Sequence, residues 1–167
     1  MINRGGFVLC SLALSLSLVP PRAAHAQASQ RGQPTTAFAV TDLAKLRWME
    51  GTWRGAASGE PAFYERYRFT SDSTLDITYF GDSTLARETG TGRVFLSVGR
   101  IFHTTGAGRW GASHVNDRGA YFVPQVNAHT TIAWRKVSAD AWTATLRGGL
   151  SGRERVTVFD MQRVAAR

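Results

Sequence analysis

Cysteine is missing from almost all of this chain: the single one, Cys10, sits in an apolar stretch near the N-terminus. Residues 27–167 can therefore build neither a disulfide framework nor a thiolate metal site, and their stability has to come from packing. Long hydrophobic runs are missing too. The apolar region from Phe7 to Val19 is cut off by Pro20 and Pro21 and falls short of the ~20 residues a spanning helix needs, which argues against stable membrane insertion. There is no heptad pattern, internal repeat or low-complexity tract. Nor is there a Gly-x-Ser-x-Gly elbow, a phosphate-binding loop or a dinucleotide fingerprint, so the chemistries those motifs announce have no support. Histidine is scarce: beyond residue 26 only His103, His114 and His129 remain. Their spacing gives no His-x-His or His-x-x-Glu-His element, so neither a metal nor a cofactor is expected.

What is present begins with an export signal. Arg4 gives a short positive region, Phe7 to Val19 an apolar core, and Ala24-His25-Ala26 an A-x-A cleavage site. Residues 1–26 are expected to be removed, leaving Gln27 as the first mature residue of a periplasmic or secreted protein. Loss of Arg4 and Arg22 leaves 18 basic against 12 acidic side chains. The arginines are scattered singly and no nucleic-acid motif accompanies them. The excess therefore points to solubility and attraction to anionic ligands rather than to nucleic acid. Residues 27–40, rich in Ser, Gln, Pro and Thr, are expected to be a mobile lead-in to one domain over residues 41–167.

Thr41 and Asp42 can cap a short helix in which Leu43, Leu46 and Met49 recur at helical spacing. After Gly51 the period changes to two. Phe63, Glu65, Tyr67 and Phe69 share one strand face, Tyr64, Arg66 and Arg68 the other, and Leu75, Ile77 and Tyr79 repeat the pattern. A weaker polar strand covers Thr84 to Thr91. The stretch Arg93 to Thr104 reads as one strand with Val94, Leu96, Val98, Arg100 and Phe102 on a face, followed by Trp110, Ala112 and His114 on the next. Further strands are expected around Tyr121, over Thr131 to Val137, Trp142 to Arg147 and Glu154 to Val164. Turn residues stand at nearly every junction. The reading is an all-β domain: an antiparallel up-and-down barrel of nine or ten strands, with a short N-terminal helix closing one end. A barrel is preferred to a sandwich because successive strands join through short turns and closure removes exposed edges. Its interior would be filled by side chains or hold one small ligand.

The segments LRWMEGTWRG (from Leu46), FYERYRF (from Phe63), GAYFVPQVNAHTTIAWRKV (from Gly119) and VFDMQRV (from Val158) resemble a family of bacterial exported lipocalin-like proteins of unknown function. Gly51 and Trp53 match that family's opening, Glu65 its second-strand glutamate, and Arg163 with Val164 its ending, over residues 43–164. The resemblance implies the fold and little more. Where the family carries a Pro-x-His-Asp-Phe-Pro element, this chain has Pro124-Gln125-Val126-Asn127-Ala128-His129. The opening is more distantly similar to nitrobindin-type haem barrels, whose last-strand histidine ligand is not found here.

If the Phe63 to Phe69 face is internal, Glu65 lies in an apolar lumen and needs a partner to stay charged. Arg100, alternating with Val98 and Phe102, is the expected cation. His114, in step with Trp110 and Ala112, is expected to face the same lumen. With Tyr67, Trp110 and Trp134 these residues form the candidate ligand site, while Trp53 is expected to pack the barrel floor. The expected function is to bind a small, partly apolar, anionic molecule in the lumen. The alternatives are a small hydrolase or isomerase using Glu65 with His114, and an envelope protein with a filled barrel.

Overall fold

The computed structural model describes residues 37–148 and 154–165. The expected signal segment and most of the Gly148 to Gly152 turn lie outside them. The chain enters at Phe38, whose N–H donates to Gly99 O at 2.9 Å and whose ring packs on the core. Helix α1 (Val40–Ala44) follows, then a 3-10 turn (Arg47–Met49). The helix begins at Val40 behind Ala39 rather than being capped by Thr41 or Asp42; Asp42, in its first turn, reaches back to accept the Ala39 N–H at 2.9 Å, the one half of a capping box that an alanine at the cap allows. Leu43, Leu46 and Met49, three and three residues apart, are all 0% exposed, so the apolar stripe faces the barrel and plugs one end of it.

Ten strands follow in a meander: β1 (Gly51–Ala56), β2 (Phe63–Ser71), β3 (Thr74–Phe80), β4 (Glu88–Ser97), β5 (Arg100–Thr105), β6 (Gly108–Asn116), β7 (Gly119–Val126), β8 (Thr130–Lys136), β9 (Ala141–Gly148) and β10 (Arg155–Arg163). Each pairs antiparallel with its sequence neighbours, and β1 pairs with β10 to close the barrel. No strand is left with an open edge. At the helix end the chain turns around 72–73, 98–99, 117–118 and 137–140; segments 57–62, 81–87, 106–107 and 127–129 turn it at the other end.

The two-residue turn Val98-Gly99 divides the stretch expected to run as one strand from Arg93 to Thr104. Both residues have positive φ, 46° and 67°, the pairing that a tight hairpin between twisted strands requires. The expected polar strand from Thr84 also starts later, at Glu88, because segment 81–87 is a loop.

The helix-end half of the interior is an aromatic pack. Trp53 and Trp142 are 0% and 1% exposed and meet edge to face at 6.0 Å between centroids; Trp142 also meets Tyr67 at 5.8 Å and Trp134 at 5.9 Å. Trp53 donates its Nε1–H to Met49 O at 2.6 Å, so the largest floor residue is both packed and satisfied. Arg163, at the end of β10, ties the same region together. Its guanidinium lies 4.1 Å from the Trp53 ring centroid and donates to Glu50 O at 2.7 Å and Trp48 O at 3.0 Å.

Candidate functional site

Away from the helix the interior changes character. Inward-facing Phe63, Glu65, Tyr79, Thr105, Leu146, Thr157 and Phe159 are only half-buried, so this half of the lumen is not sealed as the floor is. Alternation along β2 puts Glu65 on the wall between Phe63 and Tyr67, opposite Trp53 on β1 and Tyr79 on β3. Tyr67 is buried and its hydroxyl donates to Glu65 Oε2 at 2.5 Å. No cation pairs with Glu65 among the described residues. Burial pushes its carboxyl up from the ordinary carboxylate value to about 7, while the Tyr67 hydrogen bond pulls in the other direction. The desolvation cost outweighs one hydrogen bond, so Glu65 exchanges its proton near neutrality. Burial likewise holds Tyr79 protonated, up to about 12. Tyr79 stands across from Gly90 on β4. A side chain at neighbouring Gly92 would collide with the Tyr79 hydroxyl, so the glycines of β4 make room for that ring.

The expected Glu65–Arg100 pair does not form. Arg100 is exposed and its guanidinium lies over Phe102 at 5.4 Å on the outside of the barrel. The cause is the Val98-Gly99 turn. Residues opposite one another in a hairpin share a face, and the register sets Leu96 against Ile101, Val94 against His103 and Ser97 against Arg100. The inward set on β5 is therefore Ile101 and His103, one residue out of step with a pattern counted straight through the turn.

His114 is misplaced for a related reason. Ser113 is an extra residue in β6: Ala112 pairs with Phe122 and His114 with Tyr121, so the bulge re-aims everything after it. Val115 turns inward in its place, 7% exposed. His114 is exposed and stacks on Tyr121 at 5.7 Å with planes 9° apart. Of the remaining expected site residues, Trp110 and Trp134 are inside, 8% and 5% exposed. Trp110 Nε1 donates to Thr130 O at 2.7 Å.

The histidine that does enter the lumen is His103. It is 5% exposed and enclosed by Trp134, Trp110 and Phe122, with ring centroids 5.2, 5.6 and 5.7 Å away. Neither ring nitrogen has a hydrogen-bond partner among the described residues. Burial lowers its pKa to about 4, so the imidazole is neutral at physiological pH and offers one donor and one acceptor. Its parity is visible only once the turn before it is known. Among the described residues no three His, Cys, Asp or Glu side chains cluster as a metal would need.

Two surface cavities accompany this interior. One, of about 1000 Å³, runs beside β3, β4 and β5 along the Asp76–Arg93 ion pair. The other, of about 730 Å³, lies against β1 and β2 beneath the 81–87 loop. The lumen's Tyr79 and Thr105 border the first, whereas Trp53, Trp110, Trp134 and Trp142 line neither.

No helix among the described residues is long and apolar enough to cross a membrane. No family model matches the chain, and no curated protein is similar to it. Among solved structures it is similar to a redesigned β-barrel at 14% identity, covering 71% of this chain and 93% of that one with a TM-score of 0.36. At that score the barrel assignment rests on the strand pairing itself.

Proposed function

We propose that this is an exported barrel of the lipocalin-like kind that holds a small, largely apolar, uncharged molecule in the half of the lumen away from the N-terminal helix. The observation that supports it is Glu65: a carboxyl with no cation beside it among the described residues, on a wall where its neighbours are the aromatic side chains of Phe63, Tyr67, Trp53 and Tyr79, the first and last of them only half-buried. A carboxyl in such a place is costly to the fold, and it can either donate or accept a hydrogen bond to orient a guest. Ligand sites typically combine a mostly apolar lining with few polar groups of this sort. An anionic guest, expected from the sequence, loses its support with Arg100 on the outside. It would meet Glu65 with no compensating charge.

Catalysis is the second reading, favoured by a carboxyl that titrates near neutral pH, where a general acid or base works best. The partner cannot be His114, which lies on the other side of the sheet. Export rests on Arg4, the Phe7 to Val19 segment and the Ala24-His25-Ala26 site.

Native mass spectrometry of protein recovered from the periplasm tests this reading, with displacement of the neutral fluorophore N-phenylnaphthylamine as a second measurement. An adduct in the parent that disappears in a folded Glu65→Gln variant supports the binding function. Absence of both adduct and fluorophore binding would establish a filled barrel instead. Recovery of the uncleaved chain in membranes would overturn export.

A further inference from the structure

A different face of the molecule carries a second site. The 81–87 loop that follows β3 folds over the outer surface of β1 and β2 and helps to enclose the cavity of about 730 Å³ there. Phe80, just before the loop, points outward yet is 3% exposed, with the Arg66 guanidinium 5.0 Å from its ring centroid. The cavity is thus a built feature with an apolar anchor beside it.

Its lining is one-sided in charge. Arg54 and Arg66 face into it with the hydroxyls of Thr52, Tyr64 and Ser83, and no Asp or Glu belongs to the wall. Register places Arg54 opposite Tyr64 and Arg66 opposite Thr52, which makes the two arginines diagonal neighbours on one sheet face. Neither is in an ion pair among the described residues. Arg66 Nε donates only to Thr52 Oγ1, at 3.3 Å. The third arginine of the wall, Arg163, is committed to backbone carbonyls and to Asp140 at 3.1 Å. Elsewhere the chain does pair arginines with acids, as in Arg93 with Asp76 at 2.6 Å and Arg147 with Glu154 at 3.1 Å. Two adjacent unpaired guanidiniums repel each other, and their planar forks match an oxyanion that accepts from both.

We infer that this outer cavity binds a phosphate-type oxyanion carried by a small molecule or a lipid headgroup, held between Arg54 and Arg66 with Tyr64 as an additional donor. The volume exceeds that of inorganic phosphate and lies in the range of sites for small organic ligands, so the oxyanion is one end of a larger guest. The site is on the opposite face of the sheet from Glu65 and does not depend on what the lumen holds.

The test is titration of the 15N-labelled protein with inorganic phosphate at fixed ionic strength. The amides of Thr52, Arg54, Tyr64 and Arg66 are expected to shift together and saturate. Arg54→Gln, at an exposed position, is expected to weaken the affinity at least tenfold. Arg66→Lys, which keeps the charge and loses the fork, should give a smaller loss, and Arg118→Gln in the β6–β7 turn none. Shifts that never saturate, spread over all basic residues, or persist unchanged in Arg54→Gln would reduce the site to general ionic attraction and overturn the inference. Sedimentation with phosphatidylglycerol vesicles then separates the sources. Binding that phosphate competes away and Arg54→Gln abolishes supports a headgroup; saturable phosphate binding without vesicle binding supports a soluble guest. Vesicle binding indifferent to Arg54→Gln counts against the site.

Discussion

Replacing Glu65 with glutamine should stabilise this barrel at pH 8 and leave it nearly unchanged at pH 4.5. The carboxyl titrates near its ordinary value in the unfolded chain and at about 7 when folded. Between those values the folded state keeps a proton that the unfolded state has released. Stability from this group is therefore complete below the unfolded pKa and is lost as pH rises through the folded one. The difference corresponds to about 3 kcal/mol once Glu65 is fully ionised. Glutamine has no charge to bury and keeps an oxygen that can accept the Tyr67 hydroxyl, so it removes the cost without breaking the contact. Urea denaturation of parent and variant at pH 4.5, 6 and 8 measures the effect, provided the slopes of the two transitions agree. A variant less stable than the parent at pH 8 would refute the reasoning. It would mean that a cation holds Glu65 charged in the folded state.

Three other outcomes follow from the same interior and its turns. His103→Phe should remove an acid sensitivity: burial depresses this histidine to about 4, so the parent loses about 3 kcal/mol from it as pH falls from 6.5 toward 4, and the variant's denaturation midpoint should not show that loss. Between about pH 4.5 and 6.5 the parent masks both effects, since folded Glu65 holds the proton that unfolded His103 takes up, and each single variant should unmask the other group. Trp53→Ala, at a fully buried and hydrogen-bonded floor position, should cost about 3 to 5 kcal/mol in chemical denaturation, and a loss below about 1 kcal/mol would contradict the floor packing. Val98→Asn should raise the thermal midpoint, because a β-branched residue at φ 46° is strained by about 1 kcal/mol and asparagine tolerates that conformation.

The alternation of Phe63, Glu65 and Tyr67, the helical spacing of Leu43, Leu46 and Met49, and polar turns such as Ser71-Asp72-Ser73 made the barrel class and its helical plug readable in the sequence. Glu65, Tyr67, Trp110 and Trp134 lie inside for that reason. What could not be read was parity across two irregularities. Val98-Gly99 lacks the Asn-Gly or Asp-Gly signature of its turn type, so alternation continued straight through it places Arg100 on the inner face. The bulge at Ser113 leaves even less trace, since one extra residue in a strand is set by pairing with β7 rather than by local preference. Both irregularities displace a polar group, and the Val98-Gly99 turn also sets the inward position of His103. The outer cavity was hidden differently: it depends on where the 81–87 loop folds, which no period in the sequence encodes.

The seam between β1 and β10 has a consequence in time. Trp53 on the first strand pairs with Arg163 on the last, and that arginine also holds the carbonyls of Trp48 and Glu50. The segment made first therefore waits for the segment made last before its outer edge and its turn carbonyls are satisfied. Bringing ends so far apart in sequence together carries a loop-closure cost that local hairpins do not. Until it is met, β1 and β10 are both open edges able to recruit other chains. A barrel stitched in this way is safest when folding begins only after the whole chain has arrived in one place, and a truncation that removes β10 would leave β1 and β9 as open edges.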